Sequence, residues 1–198
     1  MECDGDCRWL RPAPRSGVPA VLHATGKDDW ATPPDVVAFA ESVSGGAFDV
    51  DAAALRSTAK ARDYYGPDHV DLGRRDFLQA YWGITLGTRV WCNPPYSRAA
   101  GGLEVWCSTF YTLACMGVQV TALIFARTET LAWHEYVAHA ADVYFFKSRL
   151  SFVDPVTGKK RHPAPAPSAL VVWRPGYDGP PRYHHVRRGP TGAWEVSP

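Results

Sequence analysis

"GGLEVWCSTFYTLACMGVQVTALIFA", residues 101–126, joins two elements at one glycine. Gly101, Gly102 and Gly117 bracket a long segment that reads as a helix, and the "VQVTALIFA" that follows reads as a strand. Upstream, "TRVWCNPP" is a second strand, stopped by its prolines because a ladder needs N–H groups that proline lacks. Further back, "AFDVDAAA" is a short strand and "AALRSTAKARDYY" reads as a helix. In "TPPDVVAFAESVSGG", Thr32 is placed as N-cap and Pro33 as first helical residue. Val36, Val37, Phe39, Ala40 and Val43 then fall at helical spacing, and Gly45 is the stop. Downstream come a helix opened by Thr130 ("TLAWHEYVAHAA"), the strand "DVYFFKS" and the strand "SALVVWRP", taken as the closing one. This alternation predicts an α/β fold with a mostly parallel sheet, helices on both faces, and room for an antiparallel pair toward its C-terminal edge.

The chain has 198 residues, 46% of them hydrophobic, which suits one domain with a full core. Residues 27–174 form the predicted body. Residues 1–26 and 175–198 are rich in Pro, Gly and Arg without a sustained period and read as an irregular N-terminal segment and a basic irregular tail. No window reaches the roughly 18 apolar residues of a membrane span, and "MECDGDCRWLRPAPR" lacks an apolar signal core, so a cytoplasmic protein without a membrane partner is expected. Cys3, Cys7, Cys92, Cys107 and Cys115 contain no CxxC pair, which predicts neither disulfide nor zinc. His134 and His139, five apart, share a helix face poorly and read as ordinary helix residues. The formal charge of +1 requires that any nucleic acid be met by local basic patches, of which "GKKRH" (158–162) and "RYHHVRR" (182–188) are the densest.

Ligands of such sheets bind beyond the carboxyl ends of the strands. Three predicted strand ends carry chemistry there: Asp49 with Asp51, Asn93-Pro94-Pro95-Tyr96, and Arg127 with Thr128. The second is the most specific. An Asn side-chain carbonyl beside a proline backbone carbonyl presents two acceptors, held by a stiff backbone, to one NH2 group. Such an amine, on a base or a primary amide, is a poor nucleophile because its lone pair is delocalised. Accepting both protons helps the nitrogen pyramidalise for in-line attack. The aromatic ring at the fourth position offers a surface on which a planar substrate can stack. Arg127, Thr128 and Arg149, at strand ends, suit contact with a phosphate or a base of a nucleic acid, the alternative being a structural ion pair. The lack of GxGxxG disfavours a nucleotide redox cofactor.

"NPPY" after a strand, with "DDWATPP" (28–34), "FDVDAAA" (48–54), "AKARDYY" (59–65), "DFLQAYW" (76–82), "ARTETLAWHEYV" (126–137), "SRLSF" (148–152) and "PSALVV" (167–172), resembles the phage-type DNA N6-adenine methyltransferases, a Dam-like group. The resemblance spans roughly residues 28–173, with departures at Ala52–Ala54, at "STAK", and at Ser148, where the family usually has glycine. It implies a Rossmann-like methyltransferase domain over 27–174, S-adenosylmethionine as methyl donor, and transfer to N6 of an adenine flipped out of DNA. It also implies that Thr32 and Pro33 lie near the methionine end of the donor, with Trp30 as a possible wall. A capped helix start there would suit a carboxylate. Asp51 or Asp49 is expected to accept from the donor's ammonium or hydroxyls, and Asp76 to meet its adenine amine. Two other functions fit parts of the pattern: methylation of a protein glutamine amide, and a non-catalytic DNA-binding module.

Overall fold

Along "QVTALIF" every second side chain enters a different core. Val120, Ala122 and Ile124 join one apolar cluster, and Leu123 and Phe125 join another on the opposite side. A strand buried on both faces needs cover on both, and the chain supplies it. The computed structural model describes residues 31–96, 101–154 and 157–197, so the expectations for residues 1–26 and for Trp30 lie outside the described residues.

Ten strands are described: β1 (Val50–Asp51), β2 (Asp63–Tyr64), β3 (Arg89–Cys92), β4 (Gln119–Phe125), β5 (Asp142–Phe146), β6 (Ser151–Val153), β7 (Lys160–Pro163), β8 (Ser168–Trp173), β9 (Arg182–Arg188) and β10 (Trp194–Val196). Eight of them form one sheet in the order β10-β9-β5-β8-β4-β3-β1-β2, and β6 and β7 pair as a separate hairpin. Neighbours from β2 through β1 and β3 to β4 are parallel. β8 runs antiparallel to both β4 and β5, which makes β5 parallel to β4, and β9 runs parallel to β5. The carboxyl ends of β1, β3, β4, β5 and β9 therefore share one edge. Helices α2 (Phe77–Ala80), α3 (Gly102–Cys115) and α4 (Leu131–Glu135) cover one face, with Phe77, Trp106, Phe110 and Trp133 buried there. Helix α1 (Pro34–Ser44) covers the other face through Val36, Val37, Phe39 and Ala40.

Helix α1 begins one residue later than Thr32 and Pro33 would place it. Pro33 is the N-cap, extended at φ −57°, ψ 141°, because Pro34 excludes the helical region for the residue before it. Thr32 is buried and makes no cap. The other end stops at Gly45, whose φ of 84° is left-handed, as expected of a helix-terminating glycine. Its last carbonyls are held by the sheet: Arg174 donates to Val43, Gln119 to Ser44 and Arg89 to Gly45. These donors stand where β3 and β4 start and β8 ends. The N-terminus of α1, about 16 Å away at helical rise, consequently lies at the carboxyl edge.

Three expectations are corrected. Residues 53–65 do not form a helix. Thr58 Oγ1 accepts from Leu55 N and the Asp51 carboxylate accepts from Lys60 N, so side chains take backbone donors that a helix would use, and only a turn survives before β2. Helix α4 ends at Glu135 and passes through Tyr136 (φ −126°) into a single 3-10 turn, Val137–His139. The tail is not irregular: β9 and β10 extend the sheet, anchored at the amino edge by Asp142, which accepts from Arg174, Arg182 and His184. Burial alone would raise that carboxyl, but these hydrogen bonds hold it below its ordinary value. A charge-rich strand such as "RYHHVRR" lacks the apolar alternation by which strands are recognised.

Ser148 is the one described non-glycine residue with positive φ, at 82°, and it is exposed. A left-handed residue with a Cβ costs about 1–2 kcal/mol, part of which glycine returns through its greater freedom when unfolded. Ser148→Gly is expected to raise unfolding stability by about 0.5–1 kcal/mol in urea titration. Ser148→Ala should give no gain, and a gain equal to that of glycine would mean the backbone is unstrained.

Candidate active site at the carboxyl edge of the sheet

Strand β1 has β2 on one side and β3 on the other, all parallel. The chain runs from β1 to β2 and then crosses back to β3, and this reversal of strand order places a crevice beyond the carboxyl ends of β1 and β3. Asp51 is the last residue of β1 and is buried. Its Oδ1 accepts from Ala53 N at 3.2 Å and its Oδ2 from Lys60 N at 2.9 Å, so the carboxylate ties down the chain that turns away from the strand. Burial pushes the Asp51 carboxyl up to about 6, only partly opposed by the two N–H groups and the Lys60 charge. Asp49 lies elsewhere. It is exposed before β1 and accepts from Arg89 N at 2.8 Å, at the opposite edge of the sheet. Side chains two apart on a strand share a face, but β1 spans only Val50–Asp51, so Asp49 precedes the strand while Asp51 ends it.

Next to Asp51, Ala52 and Ala53 line a narrow cleft with Tyr65, Asp76, Phe77 and Trp106. Asp76 is the N-cap of α2 and accepts from Leu78 N at 3.0 Å; burial raises its carboxyl despite that bond. An acid at the lip of an apolar slot, between small residues on one side and rings on the other, suits a flat heterocycle bearing an amine. Gly66 closes the slot, where any side chain would collide with the carbonyl of Ala54. Phe77 and Trp106, stacked at 6.2 Å with planes 7° apart, were not singled out from sequence, since at helical spacing they are indistinguishable from core.

Asn93, Pro94, Pro95 and Tyr96 follow β3 directly, with the two prolines buried and Asn93 and Tyr96 partly exposed. The Tyr96 ring stacks on Phe125, the last residue of β4, at 3.9 Å between centroids and 15° between planes. Its hydroxyl donates to the Leu123 carbonyl at 3.0 Å and stands 3.5 Å from Asn93 Oδ1. Burial raises that hydroxyl well above its ordinary value. One face of Tyr96 is thus occupied by Phe125, an intramolecular partner that no local motif marks. Beneath the segment, Cys92 and Cys107 are buried in the core as small apolar side chains, whereas Cys115 is exposed.

Arg127 and Thr128 leave β4 at this edge and are exposed, as is Arg149 after β5. The two arginines are two strands apart, about 10 Å at sheet spacing. Thr32 and Pro33 lie at the same edge, where Ala31 pairs with Val153 of β6. The start of α1 is a poor anion site, however: Pro33 and Pro34 have no N–H, Val36 and Val37 donate to Pro33 O, and the first turn carries Asp35. The structure therefore brings together Thr32, Pro33, Asp51, Asp76, Asn93–Tyr96, Arg127, Thr128 and Arg149, and leaves Asp49 apart. Among the described residues no three His, Cys, Asp or Glu side chains gather as metal ligands would, and no helix is long and apolar enough to cross a membrane.

The family model described as "DNA N-6-adenine-methyltransferase (Dam)" matches residues 20–186. A DNA N-6-adenine-methyltransferase of Haemophilus phage HP1 (strain HP1c1) is 28% identical over 150 residues, covering 75% of this chain and 80% of that protein. One of Escherichia phage T1 is 35% identical over 72 residues, covering 36% of this chain and 26% of that protein.

Proposed function

The chain belongs to the DNA N-6-adenine-methyltransferase (Dam) family, and from that premise we propose that the crevice between β1, β3 and β4 binds S-adenosylmethionine and a flipped adenine side by side. The observation that carries the assignment is the placement of Asn93-Pro94-Pro95-Tyr96 at the end of β3, between the Asp51 end of β1 and the Arg127 end of β4. We read the sheet as Rossmann-like, with β1 and β3 at its switch point. The residues present fit the donor. Asp51 is a buried carboxylate whose ionisation is disfavoured until a cation or hydroxyl donors arrive. The cleft at Asp76 offers an acid, small residues and rings to an adenine, but it is narrow and must widen, with Arg75 on its lining, to admit the ring. Thr32 and Pro33 wall the methionine end without contributing a dipole site. When bound, S-adenosylmethionine supplies an electrophilic methyl group.

What the chain contributes is orientation and hydrogen-bond acceptance. Asn93 Oδ1 and the Pro94 carbonyl accept hydrogen bonds from the two N–H groups of the adenine N6 amine, which directs its lone pair toward the donor. Once the N–CH3 bond has formed, one of the two protons is lost to solvent and the other stays on N6. Tyr96, backed by Phe125, offers its other face to the extruded base, and Arg127, Thr128 and Arg149 hold the DNA backbone or the orphaned strand. Incubation with labelled donor and either unmethylated DNA or a glutamine-bearing protein substrate tests the assignment. Label should enter DNA as N6-methyladenine, and label in the protein substrate alone would refute it.

Tyr96 separates ring from hydroxyl. Tyr96→Ala is expected to lower kcat/KM on duplex DNA about tenfold, since stacking on an aromatic is worth roughly 1–3 kcal/mol per base. Tyr96→Phe keeps the ring and should stay within threefold in kcat/KM. It should also lose about 1 kcal/mol of stability, because the Leu123 carbonyl loses its donor. Equal damage in both variants would assign the work to the hydroxyl.

A further inference from the structure

Strand β9 alternates sharply. Val186 is fully buried, whereas Tyr183 is 56% exposed and His185 and Arg187, which share its face by period two, are exposed as well. That face lies on the α3–α4 side of the sheet, yet the helices stop at Trp133, whose ring stacks on Phe145 of β5 at 6.0 Å. Beyond it the rings continue uncovered: Phe145 stacks on Tyr183 at 5.9 Å, with planes 21° apart, and meets His185 at 6.4 Å. Lys147, two residues past Phe145 and exposed, still donates its N–H to Val186 O and so extends the row. The Arg187–Glu195 pair at 3.5 Å leaves both side chains nearly half exposed, a geometry that contributes little and yields readily to a stronger anion. The other face of β9 is already used, since Tyr144 stacks on His184 and the Arg188 guanidinium lies 4.0 Å from the centre of the Trp194 ring.

A sheet face with tyrosine, histidine, lysine and arginine in one row, ending at the edge that carries Arg127 and Arg149, complements a polyanion. The protein's net charge is only +1, so this is a local feature and not a general positive surface. We propose that Tyr183, His185, Arg187 and Lys147 form a docking surface for the phosphate backbone of duplex DNA flanking the target adenine. The proposal rests on the reading of the chain as a DNA methyltransferase and adds to it a second contact, outside the catalytic crevice. The aromatic row gives a firm platform and the cations take phosphates, so the surface contributes affinity and register but no base selection.

The test uses the full chain, a duplex of about 30 base pairs and a short one that barely extends past the target, with the double variant Lys147→Gln/Arg187→Gln. Each phosphate contact contributes about 0.9 to the slope of log affinity against log salt. The variant should lose about 2 from that slope on the long duplex and bind it about tenfold more weakly at 100 mM salt. Its donor affinity and its single-turnover rate on the short duplex should match the parent. Tyr183→Ala, which leaves the cations in place, should weaken binding of the long duplex without changing the slope. An unchanged slope in a folded double variant overturns the proposal. So does a parent that sediments as a dimer split by Tyr183→Ala, which would give this face to a second copy of the chain. A parent that binds no DNA at all would instead refute the methyltransferase reading on which the proposal stands.

Discussion

Asn93→Ala is expected to slow methyl transfer about a hundredfold at saturating donor and DNA while leaving donor affinity close to that of the parent. Losing one preorganised polar partner of a transition state typically costs on the order of 3 kcal/mol, which is about two decades in rate. Asn93 is partly exposed at the end of β3, and the Tyr96 hydroxyl, 3.5 Å from its Oδ1, keeps its shorter bond to Leu123. The backbone on either side is fixed by β3 and by two buried prolines, so the segment should survive the truncation. Asn93→Asp, which keeps an acceptor at the same place, should recover part of the rate. Single-turnover kinetics with calorimetry of donor binding separates the outcomes. Transfer at the parent rate would reduce Asn93 to a turn residue, and a parallel loss of donor affinity would place it in the wrong half of the crevice.

Asp51 carries the second large effect, and its sign is unusual. The ordinary Asp value is 3.8 and burial in the ligand-free protein pushes Asp51 up to about 6, so the folded state takes up a proton more readily than the unfolded chain. The corresponding stabilisation is complete below about pH 4 and is lost as pH rises through 6. At neutral pH the ionised carboxylate therefore costs the ligand-free fold about 3 kcal/mol relative to its protonated form. Asp51→Asn removes that cost but keeps only one acceptor for the two N–H groups of Ala53 and Lys60. Losing a charge-assisted bond returns about 1.5–3 kcal/mol of destabilisation. The variant should thus be about as stable as the parent at pH 7.5 and lose the parent's rise in stability between pH 7 and pH 5. Its donor dissociation constant should rise about a hundredfold, since a cation or hydroxyl facing it loses a charged acceptor. A variant that loses more than 2 kcal/mol of stability and binds donor normally would make Asp51 a clasp for the following loop and nothing else.

The readable parts of the sequence were those in which local pattern and tertiary role agree. Helices α1 and α3, strands β3, β4, β5 and β8, and the placing of Asn93–Tyr96 after β3 follow from apolar period, proline and glycine. Reading failed where a distant partner overrides local preference. Residues 53–65 have good helix formers, but the carboxylate of Asp51 captures their backbone. Pro34 shifts the start of α1 by one residue and deprives Thr32 of a capping role. Strand β9 is held by Asp142 and by its pairing with β5, contacts 40 residues away in sequence, and shows only charge when read locally. Phe125 behind Tyr96 and the Phe77–Trp106 wall of the cleft are invisible for a related reason. An aromatic in an apolar run looks the same whether it fills core or backs a site.

The place of β8 has a consequence for how the molecule is made. Every residue of Ser168–Trp173 is buried, and the strand sits between β4 and β5, elements that emerge from synthesis well before it. Until Trp173 exists, β4 and β5 each present an unpaired apolar edge, and nothing earlier in the described chain is available to fill the gap. Folding of the sheet is therefore coupled to near completion of the domain, with the slow, long-range closure that such pairings impose. A chain cut at residue 166 would leave two sticky strands in place of an independent lobe, an aggregation hazard during synthesis. The carboxyl edge is thus completed late: β3 and β4 pair directly, but the strand ends that carry Arg127 and Arg149 can be held in fixed relation only after β8 has been inserted between β4 and β5.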